Sequence, residues 1–193
     1  MCSSDLGLEL DSEVLSGVLE TLKTLEHRGY HFEVADGSLE LLLRRATGWE
    51  PEFFDLESYR VISDHDRGNL TEATVKVRIG DRRVLAVAEG NGPVNALDSA
   101  LRQAIGGHYP ELGSIHLVDY RVRVLDTGTG TAAVTRVLID TTDGEVVWTT
   151  IGVSENIIEA SWQALFDSIV YGLLRRRGGS ATSAAISAPA EER

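Results

Sequence analysis

The stretch of sequence that decides the fold is Glu89-Gly90-Asn91-Gly92-Pro93-Val94-Asn95-Ala96-Leu97. An apolar run ends just before it and a helical pattern begins within it, so it predicts a strand, a glycine turn and a helix start. Gly90 and Gly92 allow backbone angles that a side chain would forbid. Pro93 suits the first helical turn, where its missing N–H is not needed.

The start of this helix is a candidate site for an anion. We expect the N–H groups of Val94 to Ala96 to point outward, and the positive end of the helix dipole favours a carboxylate there. The alternative interpretation is a turn with no ligand role, since glycine turns before helices are common. Local chemistry leaves both interpretations open.

Composition is that of an ordinary globular protein. The chain has 193 residues, 42% of them hydrophobic, and a formal net charge of -12, which argues against binding to nucleic acid or an anionic membrane. Its single cysteine, Cys2, excludes an internal disulfide and a multi-cysteine zinc site. No apolar run reaches the roughly 20 residues of a membrane span, and residues 1–10 do not resemble a signal peptide. We therefore expect a cytoplasmic protein without a membrane partner.

The first quarter of the chain predicts two helices. Leucines and valines recur at helical spacing from a cap at Asp11 or Ser12 until Gly29, and a shorter leucine-rich helix closes at Arg45 before Pro51. Together they predict a helical hairpin, a linker subdomain of residues 11–50, which buries too little area to be stable alone. Residues 1–10 are expected to be a disordered or truncated start.

After this hairpin the hydrophobic period changes to that of strands. Three strands and a helix are predicted twice in the same order, with Gly80-Asp81 and Asp143-Gly144 as hairpin turns. The predicted strands are 56–63, 71–79, 82–88, 115–125, 133–140 and 145–153, and the predicted helices end near Ile105 and Arg175. The alanine- and serine-rich tail, residues 178–193, is expected to be disordered.

The repetition suggests a duplicated unit. Residues 100–105 match residues 164–169 at an offset of 64 positions, and a polar corner precedes each helix. The predicted fold class is α+β, with the helical linker followed by tandem βββα units over residues 54–176, each an antiparallel three-stranded sheet with one helix. Residues 84–88 and 146–153 are apolar on nearly successive positions, which implies burial on both sheet faces. Since one helix covers one face, we expect a homodimer built around back-to-back sheets.

Catalytic and metal motifs are not found in this sequence. His27 and His31 have metal-ligand spacing, but Gly29 breaks the helix that would align them. Residues 128–131 join two strands, so they predict a hairpin loop and not a dinucleotide site. We therefore predict no catalytic residue and no metal ligand in this chain.

Five segments carry a resemblance to a known family. They are residues 57–61, 72–77, 89–97, 119–125 and 152–162. They resemble the C-terminal regulatory domain shared by citramalate synthase and 2-isopropylmalate synthase, and more closely that of citramalate synthase. The likeness covers residues 14–175, because residues 25–30 and 40–45 resemble the helical linker that precedes this domain.

The resemblance implies regulation and dimerisation without turnover. In that family an N-terminal barrel condenses acetyl-CoA with a 2-oxo acid on a divalent metal, and the regulatory domain dimerises and binds the end-product amino acid. This chain has no barrel, so no cofactor is expected in it, and a fragment or truncated gene fits better than a complete enzyme. The implied partners are isoleucine or leucine, a second copy of the chain, and the catalytic barrel of the parent enzyme.

The resemblance also implies an effector pocket at a dimer interface, between helix starts and strand ends. The residues carried over by motif are Gly90, Asn91, Gly92 and Ala96 from the glycine corner, Leu117, Asp119, Tyr120 and Val124 from the fourth strand, and Glu155 and Ile157 from the second helix corner. An amino acid needs N–H donors for its carboxylate, an acceptor for its ammonium and an apolar slot. The glycine corner, Asp119 or Glu155, and Leu117 with Ile157 could supply these in turn. Tyr120 as an ordinary strand residue and Asp119 as a strand-end cap stay open as alternatives.

Three functions stay open on the sequence. The first is an allosteric module that senses isoleucine, or leucine if the likeness to 2-isopropylmalate synthase is the relevant one. The second is a stand-alone small-molecule-binding dimerisation protein that acts on another enzyme in trans. The third is a small enzyme whose site has no recognisable motif. The gene immediately upstream would separate the first two.

Overall fold

The computed structural model describes residues 12–51, 53–64, 70–125 and 133–186. Its helices are α1 (Ser12–His27), α2 (Asp36–Ala46), α3 (Pro93–Ile105) and α4 (Ile157–Ile186), with single 3-10 turns at Phe32–Val34 and Pro110–Ser114. Its strands are β1 (Asp55–Asp64), β2 (Leu70–Ile79), β3 (Arg82–Gly90), β4 (His116–Val124), β5 (Thr135–Thr142) and β6 (Val147–Ser154). The predicted α+β class and the order of elements are confirmed. The predicted start at residues 1–10, the loop at 128–131 and the last part of the tail lie outside the described residues.

The two sheets are copies of one another. Each has three antiparallel strands, in the orders β1-β2-β3 and β4-β5-β6. Each first strand carries a bulge at the same place, between Leu56 and Ser58 and between Leu117 and Asp119. The tandem βββα units expected from the sequence are therefore present.

The hydrophobic core lies between the sheets and the two helices that follow them. In β2 every second residue is buried, and Val75 and Val77 have no exposed surface. Helix α3 packs on β3 and β2, helix α4 packs on β6 and β5, and the two helices contact each other. One continuous core results.

The linker hairpin covers the outer face of the second sheet. Phe32 and its neighbours form a small cluster with Ile151 of β6. The Asp36 carboxylate accepts the Thr149 N–H at 2.7 Å, and the Ser38 hydroxyl oxygen accepts the Ile151 N–H at 3.0 Å. These bonds satisfy edge groups of β6 that would otherwise face water.

This packing corrects the expectation that the outer face of each sheet needs another sheet. For the second sheet the linker helices supply the cover within one chain. On the first sheet Leu85 and Val87 are 58% and 45% exposed. The burial on both sheet faces that the sequence predicts for residues 84–88 is therefore not observed within one chain. Periodicity identifies a buried face but not the element that covers it.

Helix α4 extends beyond its predicted end at Arg175. Its backbone stays helical through Gly178 to Ile186, where the sequence predicts a disordered tail. Alanine and serine, which make up most of residues 180–186, permit a helix to continue.

Candidate functional site

The glycine corner joins β3 to α3. Gly92 is the N-cap of α3 with an extended backbone, at φ -178° and ψ 172°, and a Cβ atom there would meet nothing within 4 Å. At Gly90 a Cβ atom would lie 2.6 Å from the Ala96 backbone nitrogen. Backbone angles that a side chain would forbid, expected at Gly90 and Gly92, are therefore found at neither glycine. Close approach of the helix to the strand requires glycine at Gly90 instead.

Two of the three expected N–H donors precede the first hydrogen bond of α3. The Ala96 N–H donates to the Gly92 carbonyl at 3.0 Å, so this donor is not free as expected. The Asn95 side chain accepts the Asn91 N–H at 3.2 Å and steadies the corner. The N–H groups of Val94 and Asn95 come before that first bond and can serve an anion.

A cavity of about 910 Å³ opens beside these donors, between α3, the Pro110–Ser114 turn and β4. We call it the α3–β4 cavity. It is lined by Val94, Asn95, Asp98, Arg102, Gly106, Tyr109, Pro110, Leu112, Gly113, His116, Leu117 and Tyr120. A largely apolar wall with a few convergent polar groups is typical of a small-molecule site.

An ion pair defines the polar side of the cavity. The Arg102 Nε atom lies 2.9 Å from both carboxylate oxygens of Asp98, and Arg102 Nη1 donates to the Ile115 carbonyl at 2.8 Å. The side chains of Asp98 and Arg102 keep 19% and 25% of their surface exposed. The arginine is held in place by the backbone, and the carboxylate remains reachable from the cavity.

Tyr120 links the cavity to the start of α4. Its ring lines the α3–β4 cavity, and its hydroxyl lies 2.8 Å from the Ser161 hydroxyl. Because Ser161 donates its single proton to the Ile157 carbonyl at 2.6 Å, Tyr120 is the donor to Ser161. The α3 start, β4 and the α4 start, the three segments expected to form the pocket, thus converge at Tyr120.

The structure brings together some of the expected residues. Leu117 and Tyr120 line the cavity next to the first turn of α3. Ala96 is fully buried beneath that turn. Val124 lies further along β4 on the same face as Tyr120 and is 49% exposed.

Other expected residues lie apart from the cavity within one chain. Asp119 faces the opposite side of β4, where it pairs with Arg121 at 3.1 Å. Glu155 borders a separate groove with Arg28. Ile157 is 45% exposed. Whether these residues contact an effector stays a prediction.

Sequence reasoning missed Asp98 and Arg102. Their spacing of four residues marks an ordinary helix-surface pair, which gave no reason to single them out. The contact between Arg102 and the carbonyls of the Pro110–Ser114 turn and Ile115 makes them part of a cavity. That contact joins segments separated by a turn and could not be read from periodicity.

In the described part of the chain, no group of three or more His, Cys, Asp and Glu side chains is placed to hold a metal ion. None of the helices described is long and apolar enough to cross a membrane.

Comparisons with known proteins identify relatives over most of the chain. A family described as "LeuA allosteric (dimerisation) domain" matches residues 33–173. The (R)-citramalate synthases of Streptomyces coelicolor and Geobacter sulfurreducens are 51% and 48% identical over 176 residues, which is 89% of this chain and 33% of each relative. The 2-isopropylmalate synthase of Thermus thermophilus is 40% identical over 116 residues, which is 60% of this chain and 32% of that protein. The chain therefore spans about a third of the length of these relatives.

Proposed function

The chain belongs to the LeuA allosteric (dimerisation) domain family, and from this premise we propose that it is the feedback-regulatory and dimerisation portion of a citramalate synthase-type acyltransferase. Its relatives are longer synthases that it matches over one part only, which supports a role as a regulatory portion. In this proposal the catalytic barrel is a partner, and the divalent metal and acetyl-CoA belong to that barrel. The effector is the end-product amino acid, isoleucine, with leucine as the alternative.

The observation that carries effector binding is the chemistry of the α3–β4 cavity. The N–H groups of Val94 and Asn95, at the positive end of α3, can receive the carboxylate of an amino acid. Asp98 can receive its ammonium group in a charge-assisted hydrogen bond. Leu117 and Tyr120 provide the apolar wall for its side chain.

The spacing of these groups suits an α-amino acid. Asp98 follows Val94 by about one helical turn, a rise of roughly 6 Å along α3. Each group reaches its partner through a hydrogen bond of about 3 Å, so neighbouring ammonium and carboxylate groups of one ligand can meet both. A ligand that lacks either charge would lose the bond to one of these groups.

Calorimetric titration of the chain tests this proposal. We expect saturable binding of isoleucine, with leucine weaker because a pocket separates such isomers by about 1 to 3 kcal/mol. The matched ligands 3-methylpentanoate, which lacks the ammonium group, and isoleucine methyl ester, which lacks the carboxylate, should compete with isoleucine only weakly. Tighter binding of leucine would assign the chain to leucine sensing. Absence of binding by both amino acids would refute effector binding.

The dimerisation part of the proposal is supported by an uncovered apolar strip on β4. Tyr120, Val122 and Val124 are 39%, 41% and 49% exposed, although their partners on β5 lie buried under α4. Strand β4 is at the sheet edge, where exposed apolar side chains are a template for association. In the proposal a second copy covers this strip.

Replacing Val122 with glutamate should convert a dimer into a monomer, because a buried interface would then hold an unpaired charge. Light scattering after size-exclusion chromatography measures the mass. Leu85→Glu is the matched control, since Leu85 is 58% exposed on the first sheet's outer face. Dissociation by Leu85→Glu alone would place the interface on that face, and a wild-type monomer at micromolar concentration would refute dimerisation.

A further inference from the structure

A second cavity, of about 480 Å³, lies between α4, the start of β1 and the linker hairpin. We call it the linker cavity. It is lined by Leu25, Tyr30, Phe32, Ser38, Leu42, Arg45, Asp55, Leu56, Ile151, Glu159, Trp162, Gln163, Phe166 and Asp167. None of the residues expected to bind the effector is among them.

The duplication of the fold makes the linker cavity the counterpart of the α3–β4 cavity. Leu56 precedes the bulge of β1 as Leu117 precedes the bulge of β4, and each lines its own cavity. On the helices, Trp162 and Phe166 occupy the positions that Asp98 and Arg102 hold 64 residues earlier. The same groove, between the helix of one unit and the first strand of the other, thus occurs twice with different chemistry.

Aromatic rings form much of the wall of the linker cavity. On the linker side Tyr30 and Phe32 stack at 5.5 Å between ring centroids. On the α4 side the centroids of Trp162 and Phe166 are 6.3 Å apart, and Tyr59 stacks on Trp162 at 5.3 Å. The faces of such rings attract cations.

Carboxylates dominate the charged groups of this wall. Asp167 accepts bonds from Arg45 at 2.9 Å and Ser38 at 3.1 Å, and its side chain is only 17% exposed. Burial raises the pKa of the Asp167 carboxyl despite the neighbouring Arg45 guanidinium and the Ser38 hydroxyl. Arg45 is the one cationic side chain set against the carboxylates of Asp55, Glu159 and Asp167 in the lining. The cavity therefore carries an excess of negative charge.

Glu159 is held in position at the opposite end of the same helix face. Its carboxylate accepts the Tyr59 hydroxyl at 2.6 Å and the Gln163 amide at 3.3 Å. Burial, together with the bond to Glu159, raises the pKa of Tyr59 to about 12, so this phenol stays a donor. Each Glu159 oxygen accepts one of these bonds and retains a further lone pair for a ligand.

The order of these groups along α4 defines the ligand. Glu159 and Asp167 are separated by two turns, a rise of about 12 Å, with Trp162 and Phe166 between them on the same face. We propose that the linker cavity binds a small alkylammonium ion, whose charged group pairs with a carboxylate and whose apolar body lies against the rings. Such a ligand would contact both the linker hairpin and α4.

Calorimetry with the full chain tests this proposal, with n-butylammonium as the probe and butyrate as its anionic match. We expect saturable binding of butylammonium, no binding of butyrate, and a higher melting temperature with butylammonium, because a ligand of the folded state stabilises it. Excess isoleucine should not displace butylammonium. Because the two ligands are expected to bind independently, a failure of the linker-cavity proposal can be distinguished from a failure of the proposed effector site.

Two variants locate the site. Glu159→Gln keeps an acceptor for Tyr59 but removes the charge, and should weaken butylammonium binding about tenfold. Asp55→Asn, at an exposed position, should weaken it about threefold. Glu20→Gln, on the exposed face of α1, is the matched control and should bind as the wild type does. The proposal is overturned if butylammonium does not bind, if butyrate binds equally, if isoleucine displaces the probe, or if both cavity variants bind unchanged.

Discussion

Replacing Gly152 with alanine is expected to lower the free energy of unfolding by about 3 kcal/mol, because the added methyl group would collide with the backbone of α4. A Cβ atom at Gly152 would lie 1.9 Å from the Ala160 carbonyl oxygen and 3.0 Å from the Ala164 nitrogen. These atoms belong to helix backbone and cannot rotate away. Helix α4 would have to move off β6, and Ala160 and Ala164 are both fully buried there.

The measurement is urea and thermal unfolding of the Gly152→Ala variant. A loss of this size lowers the melting temperature by roughly 6 to 12 °C in a chain of this length. Gly107→Ala is the matched control, since a Cβ atom at Gly107 would meet nothing within 4 Å. Equal melting temperatures for Gly152→Ala and the wild type would contradict the close contact between β6 and α4.

Replacing Asp98 with asparagine is expected to weaken isoleucine binding about 30-fold, equivalent to roughly 2 kcal/mol. The neutral amide lacks the negative charge of Asp98, which in the proposal pairs with the ammonium group of isoleucine. It still offers an oxygen to Arg102, so the contacts of Arg102 with the Pro110–Ser114 turn and Ile115 should persist. Calorimetric titration measures the change, and a melting curve verifies that the variant is folded.

The matched control is Asp119→Asn, which makes the same chemical change on the opposite face of β4. Asp119 pairs with Arg121 and does not line the α3–β4 cavity. Isoleucine should bind this variant as it binds the wild type. If Asp119→Asn lost isoleucine binding and Asp98→Asn kept it, the sequence-based assignment of the ammonium group to Asp119 would be favoured. The assignment to Asp98, drawn from the cavity, would be refuted.

Much of the fold could be predicted because its signals are local. Alternation in β2 follows from side chains that point to opposite faces at every step. The turn at Gly80 follows from a backbone angle, φ 55°, that favours glycine. The order of strands and helices, and its repetition, therefore follows from neighbours a few residues apart.

The candidate site could be predicted only in part. The likeness to a known family singled out Leu117 and Tyr120, which line the α3–β4 cavity. The family resemblance did not point to Asp98, because the role of Asp98 depends on a cavity wall that the Pro110–Ser114 turn helps to form. Gly90 and Gly92 are indistinguishable in sequence, and only the approach of α3 to the end of β3 shows that Gly90 must lack a side chain.

The sequence by itself thus determined the secondary structure, the duplication and the family of this protein, because each rests on residue order and short-range periodicity. The tertiary structure alone decided that the linker hairpin covers the second sheet. It alone also decided that equivalent grooves became a largely apolar cavity with one ion pair beside α3 and an aromatic, acidic cavity beside α4. Those outcomes depend on contacts such as Asp36 with Thr149 and Arg45 with Asp167, which join residues more than a hundred positions apart. Hydrophobic periodicity reports that a face is buried, whereas only packing selects the partner that buries it.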